Sequence, residues 1–139
     1  MMIVTISSGV AKTLVAEAAK AAPNECCGLL LGTPGHIETA VPARNTSPHP
    51  DRAFEIDPVT LLRTHREARG QALQVLGHYH SHPNASPEPS LRDAARAVEN
   101  GQLWLIIADS QINAWHTVAT DPGGSALHGR FLPVMLEGN

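Results

Sequence analysis

Along the chain, apolar residues alternate between strand-like runs and helix-like stripes. Ile3–Ile6 reads as a short strand, after which Val10, Leu14, Val15 and Ala18 recur at helical spacing. That stripe predicts a helix capped by Ser7 or Ser8, running to about Ala22 and stopped by Pro23. Strands follow near Glu25–Leu31 and Ile37–Val41, joined by a Gly32-Thr33-Pro34-Gly35 turn. Ala43–Asp51, interrupted by proline and serine, is expected to be a loop bordering a cleft. Pro58 suits the first position of a helix reaching Arg69, with Gly70 closing it. Ala72, Leu73, Val75 and Leu76 lead a further strand into His78–His82. A helix over Ser90–Asn100 comes next, then strands near Leu103–Ala108 and Ile112–Val118. A turn at Asp121-Pro122-Gly123-Gly124 leads to a last strand near Gly129–Val134. There is no internal repeat. Strands and helices interleaved in this way predict an α/β fold, an αβα sandwich around a curved mixed sheet.

The strand that ends in H-Y-H-S-H-P carries candidate chemistry. His80 and His82 are two apart, so period-two geometry puts both imidazoles on one face, with Cα atoms about 6.7 Å apart. Two imidazoles at that spacing can converge on one ion at about 2.0–2.1 Å. Asp93 follows Pro87, Pro89 and Ser90, where a helix plausibly begins, so its carboxylate sits in a first turn beside the strand end. Two histidines and a carboxylate make a three-ligand set, and a catalytic zinc site keeps its fourth position for water. Each part has an ordinary explanation: an H-x-H pair is a common accident, and Ser90-Leu91-Arg92-Asp93 also fits a capping box. Their co-occurrence, with a rigid Pro83 beside the second histidine, points to a metal site. Ser90 suits two tasks there, capping the helix and pointing its hydroxyl at the site.

A hydrolytic zinc needs a proton acceptor that is not itself a ligand. Glu25, heading the apolar run C-C-G-L-L-L, is the upstream candidate, because a charge opening a buried strand calls for a partner. Glu17, Glu38, Asp51, Glu55 and Asp57 are rivals, and spacing does not separate them. His78 shares the face of His80 and His82; a fourth protein ligand would close the site, so a wall or supporting position is expected for it. Cys27 is expected as a small buried residue. His36, His49, His65, His116 and His128 have no ligand spacing and are expected at the surface or satisfied in the core, while Trp104 and Trp115 are expected in the core.

Composition narrows the field. The chain of 139 residues is 42% hydrophobic and 17% charged, enough to bury one core, and no composition break divides it. A single domain over 1–139 is expected. A net charge of −3 argues against a nucleic-acid partner, which needs a basic face. Cys26 and Cys27 are adjacent and cannot staple distant chain, which favours reduced thiols and a cytoplasmic setting. No charged leader precedes the apolar start and no run approaches membrane-spanning length, so no membrane partner is expected.

The run H80-S81-H82-P83, seven residues, then S90-x-x-D93, with the upstream P-x-E-C-C-G-L-L-L-G, resembles the JAMM (MPN-plus) metalloprotease family, in its prokaryotic stand-alone form. F54-E55-I56-D57-P58, A108-D109-S110 and Ala114-Trp115 extend the resemblance over nearly the whole chain. It implies an MPN fold, related in architecture to the cytidine deaminases, and one Zn²⁺ bound by His80, His82 and Asp93. It also implies Glu25 as general acid/base and Ser90 as a stabiliser of the oxyanion. The family acts on ubiquitin-like proteins, and its prokaryotic members are linked to trimming sulfur carriers. The expected partner is therefore a protein or peptide with an extended C-terminal tail, cut at a peptide or isopeptide bond. The competing readings are a non-catalytic MPN-type interaction module, which would lose the ligands present here, and a zinc amidase acting on small molecules. A zinc deaminase is disfavoured because the P-C-x-x-C pair and H-x-E are absent.

Overall fold

The computed structural model describes residues 2–119 and 124–138. Its elements are β1 (Ile3–Ile6), α1 (Val10–Ala21), β2 (Cys27–Thr33), β3 (His36–Ala43), α2 (Pro58–Gly70), β4 (Gln74–Ser81), α3 (Leu91–Arg96), β5 (Leu103–Ala108), β6 (Gln111–Thr117) and β7 (Phe131–Gly138). Asp121, Pro122 and Gly123 of the expected late turn lie outside the described residues. The strand order is β1-β3-β2-β4-β5-β6-β7, and β7 returns to β1 to close the sheet. Pairing is parallel for β1–β3, β1–β7 and β4–β5 and antiparallel elsewhere. The mixed sheet is as expected, and its curvature goes as far as a barrel.

Strand alternation sends side chains into two cores. Leu103, Leu105 and Ile107 of β5 pack with Leu14 of α1, Leu30 and Tyr79, whereas Trp104 and Ile106 pack with Trp115, Phe131 and Ala97. Burial on both faces explains why β5 reads as an unbroken apolar run. The α2 helix covers β2, β3 and β4 through Thr60, Thr64 and Ala68, leaving Val59 and Leu62 exposed. Small residues let the helix approach a sheet face that already carries bulky rings. Tyr79 is fully buried and its hydroxyl bonds the Glu17 carboxylate at 2.9 and 3.0 Å, fixing α1 to β4. Parallel β4 and β5 come so close at Gly77 that a Cβ there would sit 1.8 Å from the Leu103 carbonyl oxygen. Only glycine fits. Among the described residues, no helix is long and apolar enough to cross a membrane.

Several boundaries differ from the sequence pattern: the last strand, expected near Gly129–Val134, runs Phe131–Gly138, and β4 starts at Gln74, after Ala72 with φ 57°. The N-cap of α1 is Gly9 in the left-handed region (φ 88°), without a side-chain cap. Ser7 instead bonds His36 Nε2 at 3.0 Å, and Thr5 Oγ1 lies 2.6 Å from its Nδ1, so His36 reinforces the short β1–β3 pairing. The α3 helix ends at Arg96, not Asn100, because Ala97 N–H reaches back only to Ala94 and the Arg130 guanidinium takes the Ala97 carbonyl. Finally, β2 starts at Cys27 rather than Glu25, since Glu25 and Cys26 give their N–H groups to partners outside the ladder.

Candidate metal centre

The end of β4 and the first turn of α3 bring three buried ligand atoms together. His80 Nε2 lies 3.1 Å from His82 Nε2 and 3.3 Å from Asp93 Oδ2, and His82 Nε2 lies 3.2 Å from the same oxygen. For ligands about 2.0–2.1 Å from a tetrahedral ion, the spacing between ligand atoms is about 3.3–3.4 Å. The triangle therefore fits one metal ion, and the two-nitrogen, one-oxygen donor set suits zinc.

Surrounding contacts fix the ligands. His82 Nδ1 donates to the Ser86 carbonyl at 2.9 Å; a carbonyl only accepts, so when the ring is neutral it is Nε2, facing the triangle, that carries the lone pair. His80 is fully buried and stacks on Phe54, ring centroids 4.3 Å apart. Asp93 Oδ2 also accepts from Ser90 N–H at 3.0 Å, while Ser90 Oγ accepts from Asp93 N–H at 3.0 Å, forming the capping box read from the sequence. Burial would raise the Asp93 pKa, but hydrogen bonds from both imidazoles and the Ser90 N–H hold it well below the usual carboxylate range. Burial also lowers the His80 pKa, favouring the neutral ring. For His82 burial is outweighed by the hydrogen bonds to Asp93 and Ser86, and its pKa is raised.

Glu25 is 7% exposed and lines the same cleft, of about 570 Å³, with His82, Ser90 and residues 83–89. Desolvation pushes its pKa up to about 7, partly opposed by His82. Cys26 next to it is tied to the metal strand: its N–H donates to Ser81 Oγ at 2.8 Å and its carbonyl accepts from Ser81 N–H at 3.1 Å. The middle residue of H-S-H is thus turned away from the two imidazoles and holds Cys26. Asp51 and Arg52 border the cleft, as expected of the 43–51 loop. Glu17, Glu38, Glu55 and Asp57 are not among the residues lining it. His78 stays outside the ligand group, between Phe54 and Trp104 at 5.1 and 4.3 Å. Cys27 is buried, its Sγ directed at the Ala43 carbonyl.

Asn45 and Ser81 carry no expectation from the sequence, and His128, expected at the surface or in the core, is given no part in the cleft. His128 is exposed yet lines the cleft and donates through Nε2 to the Pro89 carbonyl at 3.0 Å. Strand alternation was the available signal for Ser81, and the Asn-x-Ser turn pattern for Asn45; nothing local marks His128.

A mixed sheet flanked by helices, with two histidines at the end of its fourth strand and a carboxylate on the third helix, defines an α/β domain with a candidate metal centre. The model for prokaryotic homologues of the JAB domain matches residues 7–118, and the chain belongs to that family. The JAMM resemblance is thus borne out. A desampylase of Haloferax volcanii is 37% identical over 86 residues, 60% of this chain and 62% of that protein. A Thermus thermophilus protein named probable TtuB-protein conjugate cleaving protease is 31% identical over 96 residues, 69% of this chain and 64% of its own length. The matched stretch spans less than two thirds of either relative. Two solved structures share the fold. One is a Desulfitobacterium hafniense protein (TM-score 0.79, 24% identity, covering 99% of this chain and 94% of that one). The other is a JAB1/MPN domain protein of Archaeoglobus fulgidus (TM-score 0.59, 18% identity, covering 96% and 97%).

Proposed function

We propose that this chain is a zinc-dependent hydrolase that cuts a peptide or isopeptide bond at the C-terminal tail of a ubiquitin-like protein. The observation that carries the reading is the convergence of three ligand atoms beside a cleft that Glu25 and Ser90 also line. Held by His80, His82 and Asp93, zinc would polarise the scissile carbonyl and bring the pKa of water to about 7. Glu25 takes a proton from the attacking water as its oxygen bonds the carbonyl carbon. It returns that proton to the amine nitrogen as the C–N bond breaks. A pKa of about 7 suits a group that must both accept and release a proton near neutrality. Ser90 Oγ accepts from Asp93 N–H, which leaves its hydrogen to donate to the carbonyl oxygen as that atom gains charge. The names of the relatives, a desampylase and a conjugate-cleaving protease, support protein conjugates as the substrate class. Loop walls on both sides of the cleft suit an extended tail better than a folded surface.

The test uses a peptide ending in Gly-Gly joined through an isopeptide bond to a lysine side chain. Zinc-loaded protein should cleave it, and Glu25→Gln should keep about one zinc per chain while losing roughly 100-fold or more in turnover. Wild-type turnover by that variant sinks the mechanism. Free dipeptides hydrolysed as fast as the tailed probe would mean a small-molecule amidase, and no hydrolysis at all a binding module.

A further inference from the structure

Both backbone groups of Glu25 are held by one distant segment. Its N–H donates to the Pro50 carbonyl at 2.7 Å, and its carbonyl accepts from Asn45 Nδ2 at 3.1 Å. Neither bond belongs to a strand ladder. The segment is folded around Asn45, whose Nδ2 also donates to the Ala53 carbonyl at 3.0 Å. Its Oδ1 accepts from Ser47 N–H at 3.0 Å and from Glu55 N–H at 3.1 Å. A side-chain amide offers two donor hydrogens and two lone pairs, and Asn45 uses all four. Only the Ser47 bond is the local turn that asparagine commonly makes. The other three reach 8, 10 and 20 residues along the chain, the last of them to Glu25. At its far side the segment is gripped by α3: Arg92 Nη1 donates to the Arg52 carbonyl at 2.6 Å and Arg96 donates to the Phe54 carbonyl. Residues 45–55 thus brace Glu25 against the helix that carries Asp93.

We infer that Asn45 is a positioning residue for this reaction: by holding the Glu25 backbone to the 45–55 segment, it aims the Glu25 carboxylate into the cleft. The inference rests on the reading of Glu25 as the base. A residue that merely folded the cleft wall would act on substrate binding and would do so whatever stood at position 25.

The experiment is a double-mutant cycle on the zinc-loaded full chain, with the Gly-Gly isopeptide probe. Asn45→Asp retains the acceptor for Ser47 and Glu55 and loses both donors; Asn45→Ala loses all four bonds. Each is measured alone and with Glu25→Gln, and amide hydrogen exchange is followed in the metal-free proteins. Asn45→Asp should lower kcat about 10- to 100-fold with KM little changed and zinc content intact. Added to Glu25→Gln it should cost nothing further. Exchange at the Glu25 amide should quicken while Leu30 and Leu105 in the sheet stay protected. Equal losses in both backgrounds, a loss confined to KM, or unchanged exchange at Glu25 overturns the inference alone. Wild-type turnover by Glu25→Gln would overturn the base assignment together with it.

Discussion

Two buried carboxylates, Glu25 and Asp93, are shifted in opposite directions. Glu25, 7% exposed, rises from 4.5 to about 7, because desolvation dominates, Asp93 adds to it, and His82, Arg92 and Arg96 only partly compensate. Asp93, 5% exposed, falls because three hydrogen-bond donors converge on it. Partners rather than residue type set the two apart, in the directions that the proposed roles of proton carrier and ligand require. Glu25 has a folded pKa above its unfolded value, so ionising it costs the folded state. That cost is absent below about pH 4.5, grows as pH rises, and is complete above about pH 7. In metal-free protein, the stability of Glu25→Gln relative to wild type should therefore grow by about 1–3 kcal/mol between pH 4 and pH 8, allowing for screening by cleft water. Urea midpoints at the two pH values measure it, and a difference independent of pH would show that the carboxylate is not desolvated. The sequence by itself left Glu25 level with Glu17, Asp51 and others. The bonds that hold its backbone come from Asn45 and Pro50, which no local pattern connects to it.

Short elements here are held by side chains from elsewhere. The α3 helix has six residues, too few to be stable alone. Its capping box and the reach of Arg96 to Phe54 supply what its length does not. The preceding loop contains Pro83, Pro87 and Pro89, which lack N–H groups for any ladder. Ring donors replace them: His82 to the Ser86 carbonyl at 2.9 Å, Trp115 Nε1 to Pro87 at 3.2 Å, and His128 to Pro89 at 3.0 Å. The capping box was legible because it is local, and the place of Asp93 beside the two histidines was legible because the helix start fixed its position. The end of α3 was not, since the chain continues in helix-compatible residues through Val98 while Arg130 claims the Ala97 carbonyl. Because Asp93 both caps and faces the histidines, the cap and the metal site should fail together. Ser90→Ala should cost about 1 kcal/mol of stability and weaken zinc about 10-fold or more, and Ser90→Thr should restore both. Urea melts and competition with a chelator check this; wild-type zinc affinity in Ser90→Ala would separate the cap from the site.

Closure of the sheet joins residues at opposite ends of the chain, Ile3 with Met135 and Ile6 with Gly138. Alternation predicts strands and a mixed sheet but carries no record of that pairing, which is why the layers were legible and the barrel was not. Each strand has two neighbours, and pairing stops short in places, as on the side of β3 beyond Ile37, where Pro42 lacks an N–H. Loop walls at 51–52, 83–86 and 88–90 line the cleft. Those walls meet at the metal group, which spans β4 and α3 and is assembled only in the folded chain. An ion held there stabilises by mass action, about 2.7 kcal/mol at a hundredfold excess over Kd. For a chain of this size that is a rise in Tm of roughly 5–15 °C. His80 is kept neutral by burial and Asp93 ionised by its donors, so His82, with its raised pKa, is the ligand that must shed a proton. The zinc-dependent rise in Tm should thus shrink as pH falls through the His82 pKa. His80→Ala, His82→Ala and Asp93→Ala should each abolish it at any pH, because three ligands leave none to spare. Melting curves with zinc and with a chelator, from pH 5 to pH 8, provide the measurement; a full-sized zinc shift in any one of the three variants would mean that the ion binds elsewhere.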